Sequence, residues 1–249
     1  MSPEMPAKLP RDWNDLVVSA VMPAMNEEGT IERAIARIQE VPLKIELIAV
    51  NDGSLDRTGE ILDRLHREGQ VQRVIHFPKN QGKGAAVRVG IQAATGHVIV
   101  IQDADLEYDP RELPVLLEPI RDGKADAVFG SRFQSGPRRV LYFWHSIGNQ
   151  LLTLLSNMFT DLNLTDMETC YKMVRADVMK SLPLVSDRFG IEVELTARLA
   201  HSGARIWEVP ISYDGRTYAE GKKINWRDGV AALWHIFRFN LFSRQRRSE

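Results

Sequence analysis

Two aspartates, Asp103 and Asp105, stand one residue apart directly after the apolar run "VIVIQ" at positions 98 to 102. Carboxylates this close at the mouth of a buried strand repel each other unless a cation lies between them. The alternative is a solvated turn that carries two acids. Because the preceding run is strongly apolar, we favour a site for Mg²⁺ or Mn²⁺, which bind carboxylates and the oxygens of a diphosphate. The pair predicts a metal-bound nucleotide.

Two further acids nearby are explained by structure alone. Asp109 precedes Pro110, and Glu112 follows three positions after Asp109. This spacing is typical of a helix start, with an N-cap, a proline at the first helical position and a capping-box partner. We therefore assign no chemistry to Asp109 and Glu112.

The glycine motifs that bind other phosphate compounds do not fit this sequence. The turn after the first predicted strand, "MPAMNEE", has no glycine for close approach to a pyrophosphate, which argues against an NAD site. In "GKGAAVRVG", Gly82 and Gly84 follow the third predicted strand, and the third glycine position holds Val87. No G-x-x-x-x-G-K-[ST] motif occurs. The sequence thus argues against a dinucleotide fold and a P-loop.

Composition narrows the class of protein further. The chain of 249 residues has a formal net charge of −1, so no overall basic field favours nucleic acid. Cys170 is its single cysteine, which excludes an internal disulfide and suits a reducing, cytoplasmic compartment. The N-terminal residues lack the apolar core of a signal peptide, and no apolar run approaches the roughly 20 residues of a membrane span. We expect a chain that does not cross a membrane.

The first half of the chain alternates short apolar runs with amphipathic stretches. This pattern predicts an α/β fold with a mostly parallel sheet flanked by helices. Four predicted strands are followed by "MPAMNEE", "NDGS", "FPKNQGKG" and "DADLE". In such sheets ligands bind beyond the carboxyl ends of the strands, so we expect these turns to line one site. We divide the chain into an N-terminal extension (1–15), one α/β domain (16–225) and a C-terminal amphipathic helix with a basic tail (226–249).

The ordered segments "PAMNEE", "NDGS", "NQGKGAAVRVG" and "DADLEYD" resemble the nucleotide-sugar domain of the inverting family 2 glycosyltransferases of GT-A fold. The later segments "GSRF", "TDMETCYK", "RFGIEVELTARLA" and "GRTYAEGKKINWRDG" resemble the branch that contains dolichyl-phosphate mannose synthase and bacterial polyprenyl-phosphate glycosyltransferases. The resemblance covers nearly the whole chain. It implies a Rossmann-like GT-A domain with C-terminal amphipathic helical additions, which transfers a hexose from a nucleotide sugar such as GDP-mannose or UDP-glucose.

The resemblance also assigns residues to the donor nucleotide. Pro23, Asn26 and Glu27 would border the nucleoside pocket, and Asp52 would bond the base or the ribose. The alternatives are purely structural roles: Asn26 and Glu27 would start a helix, and Asp52 would form only an Asx-type turn.

The metal and diphosphate assignments centre on the acid pair. Asp103 and Asp105 would hold Mg²⁺ or Mn²⁺, with Ala104 between them among the residues that bind the nucleotide sugar. Glu107 would be a third metal ligand. Lys83 would reach a phosphate, although a lysine in the first turn of a helix is often solvated.

Several basic residues are candidates for binding an acceptor phosphate. They are Arg132, Arg138, Arg139, Arg216, Lys222 and Lys223. The resemblance places Arg132 beside the phosphates and the 216–223 loop over the acceptor. We therefore assign the binding of the acceptor phosphate to Arg132, Arg216 and Lys222. The catalytic roles are assigned to Asp105 and Arg132. Arginine suits this task because its planar guanidinium can donate hydrogen bonds to two phosphate oxygens at once. A solvated basic loop is the alternative for Arg139 and Lys223.

The acceptor decides the mechanism. A phosphate acceptor is already an anion and needs orientation rather than a base. Family members that glycosylate hydroxyls use an aspartate base, and Glu192 stands at that position here. A rival function is therefore transfer to a hydroxyl of a soluble sugar or polysaccharide, and a further one is an inactive nucleotide-sugar-binding module. Glu168 and Lys172 either touch the donor sugar or form a structural pair.

Two amphipathic segments offer a surface for a lipid. Between 140 and 160 the apolar residues recur at helical spacing. These are Val140, Trp144, Ile147, Leu151, Leu155 and Met158, opposite His145, Asn149, Thr153 and Asn157. The C-terminal "WRDGVAALWHIFRFNLFSRQRRSE" combines aromatic residues with a basic end, as at the interface of an anionic membrane. We expect a peripheral protein at the cytoplasmic face of the membrane with a polyprenyl phosphate acceptor. A homo-oligomer and a membrane-anchoring partner are the open alternatives for how it is held there. Packing on the protein's own core is the alternative.

Overall fold

The structure, a computed structural model, describes residues 9–10, 15–134, 137–140, 142–217 and 226–242. Lys222 and Lys223 lie outside these residues, as do most of the predicted N-terminal extension and the basic tail from residue 243.

Among the residues that the structure describes, seven strands form one sheet. They are β1 (Val17–Ala24), β2 (Lys44–Asn51), β3 (Arg73–His76), β4 (Val98–Ile101), β5 (Ala127–Ser131), β6 (Lys172–Arg175) and β7 (Ile206–Pro210). Their order is β3-β2-β1-β4-β6-β5-β7. β6 runs antiparallel to β4 and β5, whereas the pairs β1–β2, β2–β3, β1–β4 and β5–β7 are parallel. The predicted mostly parallel sheet is confirmed.

In the described part of the chain, eight helices accompany the sheet. They are α1 (Ile31–Gln39), α2 (Thr58–Arg67), α3 (Lys83–Ala93), α4 (Leu113–Arg121), α5 (Phe143–Thr160), α6 (Ala176–Ser181), α7 (Ile191–Ser202) and α8 (Trp226–Phe237). A single 3₁₀ turn, Pro110–Glu112, precedes α4, and a π-helical turn, Arg238–Phe242, follows α8. In α1 the buried residues recur at three- and four-residue spacing, as expected of a helix with one face on a sheet.

The capping prediction before α4 is half right. The Asp109 carboxylate accepts a hydrogen bond from the Arg111 backbone N–H, as an N-cap does. Glu112 does not complete a capping box, because its Oε1 instead accepts the Ser212 backbone N–H at 2.7 Å. Glu112 thus ties the start of α4 to the segment after β7.

The sheet places the candidate site. All residues of β4 are buried, and β1 and β2 are buried over most of their length, which accounts for their near-continuous apolar sequence. The chain runs from β1 outward through β2 to β3 and then returns to place β4 on the other side of β1. This reversal is a topological switch point, where a crevice opens beyond the carboxyl ends of β1 and β4.

Helix α5 has its polar face turned inward. Thr153 Oγ1 accepts the Met167 N–H, and the Asn157 side chain bonds both the N–H and the carbonyl of Leu164. The opposite side is exposed, with Trp144 77% and Met158 72% accessible. We call this side the α5 apolar face: Phe143, Trp144, Ile147, Leu151, Leu154 and Met158.

Helix α8 packs on α5 and α7 through a small second core. Buried Met167, Val193, Ala232 and Ile236 form it, and Phe159 and Phe237 meet edge to face at 5.4 Å. Large apolar side chains of α8 and the turn after it remain exposed beside this core: Val230, Trp234, Leu241 and Phe242. Within the described ranges, no helix combines the length and the apolar character that a membrane span requires.

Candidate active site

The turn after β2 organises the turn after β3. Both oxygens of buried Asp52 are used: Oδ1 accepts the Gln81 N–H at 2.6 Å, and Oδ2 accepts the Gly82 N–H at 2.9 Å and the Asn80 amide at 2.8 Å. Gly82 adopts φ +102°, which L side chains rarely adopt. Asp52 and Gly82 therefore fix the point where α3 begins.

Lys83, the first residue of α3, joins two acids. Its Nζ lies 2.9 Å from Asp103 Oδ2 and 2.8 Å from Glu192 Oε1, and only 16% of its side chain is accessible. Burial alone would lower the pKa of Lys83, but the charge of Asp103 and the other negative groups around it raises that pKa well above its ordinary value. Lys83 is thus a half-buried, charged link between the turn after β4 and α7.

Arg216 occupies the middle of the other acids. Its Nη2 lies 3.3 Å from Asp105 Oδ2, its Nε 3.1 Å from Glu107 Oε1, and its Nη1 3.7 Å from Glu27 Oε2. The Tyr213 hydroxyl donates to Glu107 Oε2 at 2.6 Å. The turns after β1, β4 and β7 therefore converge on one guanidinium.

The acid cluster holds more negative charge than its cations balance. Burial, followed by the charges of Asp103 and Glu107, raises the pKa of Asp105 to about 7. Oxygen donors in an electronegative site suit Mg²⁺ or Mn²⁺. In the part of the chain that the structure describes, no three His, Cys, Asp or Glu side chains form a ready-made metal cage. The residues fit a metal that takes one or two carboxylates from the protein and its other ligands from phosphates and water.

Arg132, directly after β5, is held rigidly. Its Nε and Nη2 bond the two oxygens of fully buried Asp166 at 2.6 and 2.8 Å. Asn149 of α5 bonds both partners, and the guanidinium stacks 5.1 Å from the Tyr213 ring centre. Arg132 therefore presents a fixed cation between the acid cluster and the start of α5.

The segments after β5 and β7 are paired with each other. The Tyr213 N–H donates to the Pro137 carbonyl at 3.2 Å, and the Arg139 N–H donates to the Tyr213 carbonyl at 2.8 Å. The Arg139 side chain also donates to the Gly215 carbonyl. Residues 137–139 and 213–215 thus form one paired arm beside the cleft.

Glu192, the partner of Lys83, has two further titratable residues near it, Lys172 and Glu168. Lys172 is fully buried, donates to the Met167 and Thr169 carbonyls, and lies 4.9 Å from the Phe129 ring centre. Burial lowers the pKa of Lys172. Burial, and then the charge of Glu192, raise the pKa of Glu168 to about 7.

The remaining predicted nucleotide residues line the same edge. Asn26 has φ +52°, its N–H donates to Ser54 Oγ, and its Oδ1 accepts the Leu55 N–H. The Glu27 N–H donates to Thr58 Oγ1, so the turns after β1 and β2 are cross-linked. Pro23 lies in β1 opposite Val50 of β2. Ala104 is buried between the two aspartates.

Sequence reasoning missed Asp166 and Tyr213. Asp166 stands within "TDMETCYK", and Tyr213 stands two residues before "GRTYAEGKKINWRDG", two segments that carry the family resemblance. Asp166 differs from a surface acid only through its contact with Arg132, 34 positions away. No local pattern reports such a contact, so only the family resemblance of the segment could have pointed to it.

The fold and the site together define a glycosyltransferase of GT-A fold. The family model for glycosyl transferase family 2 matches residues 19–182, and the chain belongs to this family. The predicted fold class, family and enzyme class are confirmed.

Known relatives align with most of this chain. Undecaprenyl-phosphate mannosyltransferase of Micrococcus luteus is 31% identical over 236 residues, which are 91% of this chain and 95% of that protein. Dolichol-phosphate mannosyltransferase of Pyrococcus furiosus is 28% identical over 89% of this chain and 63% of its own length. Glucosyl-3-phosphoglycerate synthase from Mycobacterium tuberculosis, solved with Mn²⁺, UDP and glucosyl-3-phosphoglycerate, superposes with a TM-score of 0.70 at 23% identity over 91% of this chain and 80% of that one. This structural likeness shows the fold.

Proposed function

We propose that the protein transfers one hexose, with inversion, from a nucleoside diphosphate sugar to a polyprenyl phosphate. The observation that carries this proposal is the double role of α5. Through Asn149 its polar face bonds Arg132 and Asp166, and its other face is an exposed apolar surface. One helix therefore links Arg132, to which we assign the acceptor phosphate, with an exposed apolar surface on the opposite side of the helix.

The names of the relatives support a lipid phosphate acceptor. They include the undecaprenyl-phosphate and dolichol-phosphate mannosyltransferases, and a dodecaprenyl-phosphate galacturonate synthase of Rhizobium johnstonii that is 29% identical over 83% of this chain and 62% of its own length. These enzymes differ in their sugars, so their names leave the hexose of this chain open.

Each group of residues in the cleft would have its own role in the reaction. Asp103 and Asp105 would hold Mg²⁺ or Mn²⁺, which stabilises negative charge on a departing diphosphate when it is bound. Glu107, the predicted third ligand, would lie beside them with its oxygens bonded to Tyr213 and Arg216. Arg132 orients the acceptor phosphate, which attacks the anomeric carbon without needing a base. Lys83, Arg216 and Lys222 neutralise phosphate charge. Pro23, Asn26, Glu27 and Asp52 border the nucleoside.

We further propose that the protein works as a peripheral protein at the cytoplasmic face of a membrane. The α5 apolar face and the exposed apolar residues of α8 belong to two helices packed on each other. Extended apolar surface of this kind marks interaction sites on soluble domains. Arg132 lies on the inner side of α5, so the chain of a lipid phosphate held there would pass around this helix to reach the apolar surface.

Phase-partition transfer tests the function. Purified protein, Mn²⁺ or Mg²⁺ and a short polyprenyl phosphate receive labelled UDP-glucose or GDP-mannose in parallel tubes. We expect label in the organic phase with one donor, and loss of that label in Asp103→Ala but not in Asp122→Ala, a surface aspartate at the end of α4. Label that appears on a soluble sugar instead, and is lost in Glu192→Gln, would support the hydroxyl acceptor.

A further inference from the structure

Glu107 stands two positions after Asp105, yet its carboxylate is bonded to the segment that follows β7. The Tyr213 hydroxyl donates to its Oε2 at 2.6 Å, and the backbone N–H and the Nε of Arg216 each donate to its Oε1 at 3.1 Å. Only 12% of the Glu107 side chain is accessible. Both of its carboxylate oxygens therefore already have partners within the protein.

The backbone between the two acids turns Glu107 toward this segment. Leu106 adopts φ +67°, a left-handed conformation that is uncommon for residues other than glycine. The Glu107 carbonyl also accepts the Asp214 N–H at 3.0 Å. A strained conformation persists where surrounding contacts fix it, and such conformations cluster at ligand sites. The contacts of Glu107 with residues 213–216 supply that support here.

The position of Glu107 decides which acids a metal can use. Asp103, Asp105 and Glu107 lie within five positions of the sequence. Among the described residues, however, no three acidic side chains form a ready metal cage. Release of Glu107 from Tyr213 would give this group of carboxylates another free oxygen. A divalent cation would then find more protein ligands and would need fewer from phosphate and water.

We propose that Tyr213 is a positioning residue that keeps Glu107 off the metal, so that Mg²⁺ or Mn²⁺ binds tightly only together with a nucleoside diphosphate. This inference rests on the metal-dependent part of the proposed function. A metal alone meets Asp103 and Asp105, whereas a metal that arrives with a diphosphate brings phosphate oxygens for its remaining coordination positions. The Tyr213 hydroxyl thus sets the coupling free energy between metal and nucleotide.

Tyr213→Phe tests this role, because it removes the hydroxyl and keeps the ring. The ring lies 5.1 Å from the Arg132 guanidinium and 5.4 Å from the Tyr108 ring. Electron paramagnetic resonance of the free ion measures Mn²⁺ binding, first without nucleotide and then with saturating UDP or GDP. We expect the unaltered protein to bind Mn²⁺ more tightly in the presence of one of the two nucleotides.

The variant should bind Mn²⁺ alone about tenfold more tightly than the unaltered protein, because a hydrogen bond to a charged group no longer occupies Glu107. With the nucleotide present, its Mn²⁺ affinity should equal that of the unaltered protein, since phosphate oxygens then fill the positions that Glu107 would take. The effect of the nucleotide on Mn²⁺ affinity should therefore shrink about tenfold in Tyr213→Phe. A merely structural role would weaken metal binding instead.

Two controls separate this role from a general loosening of the cleft. In a Glu107→Gln background, Tyr213→Phe should leave Mn²⁺ affinity unchanged, because the hydroxyl acts through that carboxylate. Tyr171→Phe is the matched control. It removes a buried hydroxyl that donates to Gln102 Oε1 at 2.7 Å, next to Asp103 in the sequence. Tyr171→Phe should bind Mn²⁺ as the unaltered protein does.

The possible failures are distinct. Unchanged or weaker binding of Mn²⁺ alone by Tyr213→Phe would overturn the inference and leave the proposed function standing. An equal gain in Tyr171→Phe, or a gain that persists in the Glu107→Gln background, would do the same. If the unaltered protein binds no Mn²⁺ with either nucleotide, the metal-dependent part of the proposed function fails and this inference with it. If metal and nucleotide bind together but no hexose reaches polyprenyl phosphate, the proposed acceptor fails and this inference stands.

Discussion

At the scale of single residues, the acids of the cleft are partly paired with the protein's own cations. Lys83 lies on Asp103, and Arg216 lies on Asp105 and Glu107. A divalent cation that binds these carboxylates competes with both basic groups. A diphosphate that arrives with the metal gives the displaced ammonium and guanidinium groups new partners. The arrangement therefore favours joint binding of metal and nucleotide over binding of the metal alone.

Glu168 gives the stability of the protein a specific pH dependence. Its pKa is about 7 in the folded protein against an ordinary value of 4.5, so the folded state holds the proton more tightly than the unfolded chain. The free energy of unfolding should fall as pH rises from about 4.5 through 7, by at most about 3 kcal/mol. Relative to the unaltered protein, Glu168→Gln should become more stable as pH rises.

Urea unfolding at pH 5, 6, 7 and 8 measures this effect. Glu118→Gln, at an exposed position of α4, is the control and should leave the pH dependence unchanged. A constant difference between Glu168→Gln and the unaltered protein at all four pH values would contradict the assigned pKa.

Motifs in the sequence pointed to the charged residues of the site, but not to the residues that these side chains contact. Asp103, Asp105 and Arg132 carry recognisable motifs, and the structure brings them to one edge of the sheet. Their roles stay predictions. The solvated alternative for Lys83 is not what the structure shows, since the contact with Glu192 joins residues 109 positions apart in different elements. Such pairings depend on the completed fold.

At the scale of elements, the alternating half of the chain was predictable and the rest only partly so. From β1 to β5 each apolar run became a strand and each amphipathic run a helix, because burial on one or both faces leaves a clear period. The short, antiparallel β6 has four residues and no such period. Its direction follows from the fold around it. The division at residue 225 stays a prediction.

The start of α3 depends on a glycine. A Cβ at Gly82 would collide with the Asp187 carbonyl, and its φ of +102° disfavours any side chain. Gly82→Ala should lower the free energy of unfolding by about 1–3 kcal/mol and displace Lys83, with a loss of transfer activity. Chemical denaturation measures the first effect.

Gly148 in α5 is the matched control for this substitution. A Cβ there meets nothing within 4 Å, and its backbone is helical. Gly148→Ala should raise stability by about 0.5–1 kcal/mol, because alanine restricts the unfolded chain and favours a helix. A similar change in both variants would argue against the collision at Gly82.

At the scale of the whole molecule, the exposed apolar residues of α5 and α8 should control attachment to lipid. Trp144→Ser combined with Met158→Ser should lower the fraction bound to vesicles of phosphatidylcholine and phosphatidylglycerol at least about tenfold, since each large apolar side chain contributes about 1.5–3 kcal/mol on burial. The free energy of unfolding should change by less than about 0.5 kcal/mol, because both side chains are exposed.

Sedimentation with vesicles measures the bound fraction. Val115→Ser, at an exposed apolar position of α4, serves as the control and should bind as the unaltered protein does. Equal binding by the double variant and the control would exclude the α5 apolar face as the contact with lipid.

The pairing of residues 137–139 with 213–215 has a kinetic consequence. One strand of this arm continues from Arg132, and the other leads into Arg216. Because Asp166 anchors Arg132, the pairing also ties Arg216 and its segment to a fixed point of the fold. We therefore expect the segment 213–215 to leave the acid cluster only when the whole pairing with 137–139 breaks, with a single rate constant.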